Sequence, residues 1–86
     1  AALAAAANTD HLTGIGNRRA FIDMTERELA RSERSGVPFG LLIIDIDHFK
    51  ALNDQHGHLA GDDALMRVAR NCLRILRRSD VFCRWG

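Results

Sequence analysis

Cysteine is scarce in this sequence of 86 residues: Cys72 and Cys83 are the only two, and no CxxC spacing joins them. A disulfide-stapled framework of the secreted kind is therefore excluded, and two reduced thiols in a cytosolic protein fit instead. Zinc spacing is missing too, since His11, His48, His56 and His58 form no convincing ligand pair with each other or with a cysteine. No apolar run approaches the ~18 residues that a membrane helix needs. The N-terminus lacks the charged region and cleavage pattern of a signal peptide. Charge of one sign is lacking as well. Twelve Lys and Arg against eleven Asp and Glu leave a formal net charge of +1, without the concentrated basic surface of a dedicated nucleic-acid binder. Together these absences describe a cytoplasmic chain. Neither nucleic acid nor membrane is expected to touch this segment.

What is present is ordinary for a soluble globular chain, with 47% apolar and 27% charged residues. A chain of this length supports one small domain with a modest core. Ala1 to Ala7 is alanine-rich and strongly helix-forming, with little to bury. Residues 1–9 read either as a frayed helical leader or as the end of a linker helix arriving from an upstream domain. Residues 10–86 carry the rest of the pattern.

Gly14 and Gly16 mark a loop, and Asn17 is placed to cap a helix from Arg18 to about Ser35. Phe21, Met24 and Leu29 give that helix an imperfect inner stripe, and Gly36 followed by Pro38 ends it. Phe39 to Asp47 is the clearest strand. Its four consecutive apolar residues do not alternate, so both faces need cover, as in the centre of an α/β sheet. A short helix from His48 to about His56 is expected next, then a turn over Gly57 to Gly61. A longer helix from Asp62 to about Arg78 has Leu65, Val68, Ala69, Cys72 and Leu76 on one face. Val81 to Arg84 reads as a second short strand. The fold class is thus α/β, a central sheet flanked by helices in the order α-β-α-α-β, with a sheet edge left open.

Chemistry concentrates at the end of the first strand. Asp45 and Asp47 are two residues apart, so a strand would aim both carboxylates to one face with Cα atoms about 6.5–7 Å apart. Carboxyl ends of strands are where open α/β sheets bind ligands. Two carboxylates there repel one another unless a cation compensates, and hard oxygen ligands suit Mg²⁺ or Mn²⁺ beside a phosphate. The following helix start leaves backbone N–H groups near His48, Phe49 and Lys50 free to meet an anion. A metal ligand beside an anion nest is what nucleotidyl transfer requires. The structural alternative is that Asp45 and Asp47 are only strand-end and N-cap residues.

The run Ile44-Asp45-Ile46-Asp47-His48-Phe49-Lys50-Ala51-Leu52-Asn53-Asp54, followed by Gly57-His58, Gly61-Asp62 and Leu65, resembles the core of the GGDEF family of diguanylate cyclases. Asp10-His11-Leu12-Thr13-Gly14-Ile15-Gly16-Asn17-Arg18-Arg19 resembles that family's entry motif, with Ile15 where leucine is usual. Arg84-Trp85-Gly86 resembles the lead-in to the GGDEF signature, with Gly86 as its first glycine. The resemblance runs without a gap from Asp10 to Gly86 and makes residues 10–86 the N-terminal part of a nucleotidyl-cyclase-like palm domain, truncated before the signature.

The resemblance implies a transferase in bacterial signalling that condenses two GTP to cyclic di-GMP, releasing two pyrophosphates, across a homodimer. Asp45 would be the catalytic metal ligand through its carboxylate and Ile46 a ligand through its carbonyl, with Asp47 in a supporting or second-metal role. His48, Phe49 and Lys50 would line the phosphates, and Asn53 and Asp62 would read the guanine edge. A carboxylate can accept from both N1–H and the 2-amino group of guanine, a donor pair that adenine lacks. Arg77 and Asp80 sit where many family members bind cyclic di-GMP as a product inhibitor.

Structural readings stay open beside these. Asn53 can cap a turn, Asp62 can N-cap the helix it opens, Phe49 can be core, and the arginines near Arg77 can complement a helix dipole. His58 is expected to hold a turn by a hydrogen bond. The family's second metal carboxylate belongs to the signature itself, so these 86 residues alone are expected to be inactive. The alternative function is a non-catalytic GGDEF-like receptor that binds GTP or cyclic di-GMP and signals through partners.

Overall fold

The first helix forms where its local signals say it should. In a computed structural model, which describes residues 7–86, helix α1 spans Arg18–Ser35. Asn17 caps it: the residue is extended, and its side-chain oxygen accepts from the Ala20 N–H at 3.0 Å. That bond satisfies one of the donors a helix start leaves open. The helix ends at Gly36, whose φ of 75° is the left-handed geometry an L side chain resists, and whose N–H donates to the Ser32 carbonyl at 2.8 Å. Of the expected inner stripe, Phe21 is half-buried while Met24 and Leu29 are exposed. Ala20 is the residue this helix buries. The expected leader at Ala1 to Ala6 lies outside the described residues; Ala7 and Asn8 are helical.

Helix α2 is Phe49–His56 and helix α3 is His58–Ile75. Gly57, with φ 86°, is the joint between them, ending one and starting the next. The two pack against each other. Helix α3 therefore begins four residues before the predicted Asp62, which removes Asp62 as an N-cap, and Gly61 lies inside the helix. A glycine inside a helix costs roughly 0.5–1 kcal/mol relative to alanine, so its presence there needs a local cause.

The helix also stops earlier than predicted. Leu76 turns extended, and the Asp80 carboxylate accepts the Arg77 N–H at 2.8 Å while the Asp80 N–H donates to the Arg77 carbonyl at 3.0 Å. That closed turn takes the amide a further helical turn would use. The predicted inner face of α3 holds: Ala69 is buried and Leu65, Val68, Cys72 and Leu76 are half-buried.

The predicted sheet does not form among the described residues. Residues 37–46 are irregular, and no backbone hydrogen bond ties residues 38–46 to any other described segment. Leu42 and Ile43 are 85% and 89% exposed. A strand is defined by its ladder to a neighbour, and no described segment runs beside this one. The predicted second strand reduces to one parallel bridge between Gly16 and Cys83, next to an antiparallel bridge between Thr9 and Gly16. From Arg18 onward the described residues form α1, α2 and α3 in order, with isolated bridges at Thr9–Gly16 and Gly16–Cys83. The core is correspondingly small, made of Ile15, Ala20 and Ala69.

Candidate functional site

The segment from Asp45 to Lys50 is laid out as a turn into a helix. Asp45 and Asp47 are exposed, Ile46 is half-buried, and neither carboxylate has a hydrogen bond or ion pair among the described residues. His48 is the one non-glycine residue with positive φ, at 58°, among the described residues, and it immediately precedes the right-handed turn of α2. A left-handed residue leading into right-handed ones points successive N–H groups into a concavity suited to an anion. The N–H groups of His48, Phe49 and Lys50 have no acceptor among the described residues. Outlying backbone of this kind in a non-glycine residue costs on the order of 1–3 kcal/mol and clusters at functional sites. Phe49 is half-buried, and the Lys50 side chain is exposed without a partner.

One helical turn further on, Asn53 is half-buried, and its side-chain N–H donates to the Phe49 carbonyl at 3.3 Å. Its side chain thus bonds back along α2, while its backbone carbonyl accepts from Gly57 at 2.8 Å. The turn-capping alternative for the Asn53 side chain does not apply. The same amide lies against Gly61, next to half-buried Asp62, so packing of α2 on α3 brings the two predicted base readers to one seam. His58 makes no hydrogen bond through its side chain among the described residues, contrary to expectation.

The metal question turns on Asp45 and the Ile46 carbonyl. No group of three or more His, Cys, Asp or Glu capable of holding a metal occurs among the described residues. A hydrated hard cation needs fewer, because Mg²⁺ keeps several waters and is held by one or two carboxylates together with substrate phosphates. An exposed carboxylate and the carbonyl beside it, neither of them paired among the described residues, fit half of such a site.

Arg77 and Asp80 are not brought to this place. They form the turn beyond α3, and the 1.5 Å rise per helical residue puts Asp62 and Ile75 about 20 Å apart. Arg77 follows the helix C-cap and its side chain is exposed. The helix-dipole role belongs rather to Arg74, in the last turn.

Sequence reasoning missed a clamp between the entry motif and the segment before Gly86. The Asp10 carboxylate accepts from the Thr13 hydroxyl at 2.6 Å, the Thr13 N–H at 3.0 Å and an Arg84 guanidinium N–H at 3.3 Å. Burial alone would push the Asp10 carboxyl up. The Thr13 bonds and the Arg84 charge outweigh burial and hold it below its ordinary value. The Gly16 N–H donates to the Phe82 carbonyl, and the Arg84 N–H donates to the Gly16 carbonyl at 2.8 Å. The Arg18 guanidinium lies 4.3 Å from the Trp85 ring centre and donates to the Trp85 carbonyl at 3.0 Å, while Phe21 meets the same ring edge-on at 5.4 Å. Spacing of an aspartate three residues before a threonine signals the local half of this clamp. Nothing local signals the other half.

A family model described as the diguanylate cyclase GGDEF domain matches residues 7–86. The chain belongs to the GGDEF family. It is 46% identical over 78 residues to the diguanylate cyclase DgcP of Pseudomonas aeruginosa, covering 91% of this chain and 12% of DgcP. Its structure is similar to that of the diguanylate cyclase SiaD of Pseudomonas aeruginosa, solved in complex with its activator SiaC. The TM-score is 0.91 and the identity 41%, over 99% of this chain and 33% of SiaD. It is similar also to the coiled coil and GGDEF domain of DgcB from Caulobacter crescentus, solved in complex with c-di-GMP. There the TM-score is 0.87 and the identity 34%, over 99% of this chain and 44% of DgcB. This GGDEF chain thus spans a minor part of the relatives it matches. Its fold is the α/β cyclase-like fold of those neighbours, and the family implies a divalent metal. No helix among the described residues is long and apolar enough to cross a membrane.

Proposed function

We propose that this chain is the GTP-handling half of a diguanylate cyclase, a domain that condenses two GTP to cyclic di-GMP. The observation that carries this reading is the left-handed turn at His48. It sets three N–H groups that no described residue accepts from just beyond the Asp45-Ile46-Asp47 run, one helical turn before Asn53. In this reading Phe39 to Asp47 is a central strand of the family's sheet, with both faces covered. The N–H groups of His48, Phe49 and Lys50 hold the terminal phosphates and keep the triphosphate in register. Asp45 and the Ile46 carbonyl hold Mg²⁺ or Mn²⁺, with Asp47 in support. When bound, the metal neutralises triphosphate charge and favours attack by a hydroxyl. Asn53 and Asp62 fix the guanine by its hydrogen-bonding edge.

In the net reaction each 3′-hydroxyl oxygen bonds to the α-phosphorus of the other GTP and loses its proton, the bond from that phosphorus to the oxygen bridging to the β-phosphate breaks, and pyrophosphate leaves, the proton going to it or to water. Two such sites must face each other, which makes a homodimer the working unit. Arg77 and Asp80 form a separate site where product binds and inhibits, Arg77 gripping a phosphate or the Hoogsteen edge of guanine. The complex of DgcB with c-di-GMP, in a relative of similar fold, supports binding of that nucleotide. The activator complex of SiaD likewise makes a protein regulator a reasonable partner class.

The test is Asp45→Asn in the full-length protein that carries this domain. Metal-dependent turnover of GTP to cyclic di-GMP should fall at least a hundredfold while the circular dichroism spectrum stays unchanged. Undiminished turnover removes Asp45 from the metal site. GTP binding without turnover in the unsubstituted protein replaces the cyclase with a receptor.

A further inference from the structure

Gly61 is buried at the fourth position of α3, where glycine weakens a helix and alanine would strengthen it. Its conformation does not call for glycine, because it is absent from the positive-φ residues. The cause is steric. A Cβ built at Gly61 overlaps the Asn53 side-chain oxygen and stands 2.7 Å from its Cγ and 3.0 Å from its Nδ2. All three atoms at the end of the Asn53 side chain therefore rest against the bare backbone of α3. From the other side the amide is held by its bond to the Phe49 carbonyl, and the Asn53 backbone is fixed by the bond from Gly57. The amide is wedged between the first turn of α2 and Gly61, the residue that precedes Asp62 in α3.

We propose that Gly61 is a specificity-positioning residue: its missing side chain is the seat that sets the Asn53 amide beside Asp62 for reading a purine edge. The proposal deepens the function above and rests on the reading of Asn53 as a guanine contact. Gly61 touches no nucleotide itself. It acts through Asn53, whose amide must rotate off its seat if a methyl group is added. A misplaced recognition group weakens ground-state binding and leaves the metal-side chemistry in place.

The experiment compares Gly61→Ala, Asn53→Ala and the double variant in the full-length protein, reading KM and kcat for GTP. Gly61→Ala should raise KM about tenfold or more with kcat within about threefold. The double variant should be no worse than Asn53→Ala alone, because both changes remove one contact. A wild-type KM in Gly61→Ala, or losses that multiply in the double variant, overturns the proposal.

The side-chain amide proton resonances of Asn53 decide independently of turnover. Gly61→Ala should move them to the position of a free asparagine amide, and an unmoved pair overturns the proposal. If Gly61→Ala unfolds the protein, the double variant should refold, since the colliding amide is gone; failure to refold counts against the seat. An unsubstituted protein that makes no cyclic di-GMP refutes the cyclase reading, and the amide resonances then decide the seat alone.

Discussion

Changing Asp10 to asparagine preserves the shape of the side chain and removes its charge at the centre of the clamp. One oxygen remains to accept from Thr13, but the new amide N–H₂ must face the Arg84 guanidinium, donor against donor. Charge-assisted bonds are roughly twice as strong as neutral ones. Weakening the two Thr13 bonds and losing the Arg84 pair should together cost about 1–2 kcal/mol, discounted because the Arg84 side chain is 32% exposed. Asp10→Ala gives up all three bonds and should cost about 3 kcal/mol. At a urea slope of about 1 kcal/mol/M for a small chain, the midpoint should fall by about 1–2 M for asparagine and further for alanine.

Emission from Trp85, the one tryptophan and the neighbour of Arg84, reports the unfolding. The pH dependence follows from the sign of the Asp10 shift. Its folded pKa lies below the ordinary 3.8, so its stabilisation is complete above that pH and disappears as pH falls through the lower folded value. The gap between wild type and Asp10→Asn should therefore be constant near neutrality and close below pH 3.8. Equal midpoints at pH 7, or a gap that persists unchanged into strong acid, refutes the role assigned to this carboxylate.

Two further outcomes follow from other residues. Asn17→Ala removes the acceptor for the Ala20 N–H and the donor to the Ala7 carbonyl. It should lower stability by about 1 kcal/mol and speed exchange of the Ala20 amide proton, and an unchanged exchange rate would rule out the cap. Arg77→Ala in the full-length protein should raise the cyclic di-GMP concentration for half-inhibition at least tenfold. Inhibition at the original concentration would assign Arg77 a structural role only.

The parts of this fold that were legible in the sequence are those whose causes are local. Asn17, Gly36 and Pro38 bracket α1 because capping acts over three or four residues, and both its ends fall where they indicate. Helix α3 was misplaced at both ends for local reasons that compete. Gly57 and Gly61 look alike in sequence, yet one breaks the helix and the other is tolerated within it; Asp80 reaches back to Arg77 and closes a turn over residues 77–80. The apolar run from Leu41 to Ile44 signals a need for cover on both faces, but pairing is nonlocal and no described segment provides it. At the site, the start of α2 near His48 was readable because turn and helix start are contiguous, whereas the strand expected to carry Asp45 and Asp47 does not form among the described residues. The seat of Asn53 on Gly61 was not, since a glycine kept free for another residue's side chain resembles any other glycine.

The Asp10–Arg84 and Arg18–Trp85 contacts join residues 74 and 67 positions apart. Closing a flexible loop of that length costs about 4 kcal/mol of chain entropy, repaid only when several bonds form together. The three helices depend on near neighbours and can form early, whereas the clamp must come late. On the ribosome it cannot close until Trp85 has cleared the exit tunnel. Leu41 to Ile44 lies uncovered by any described segment before the clamp closes and after it, open to pairing with another nascent chain.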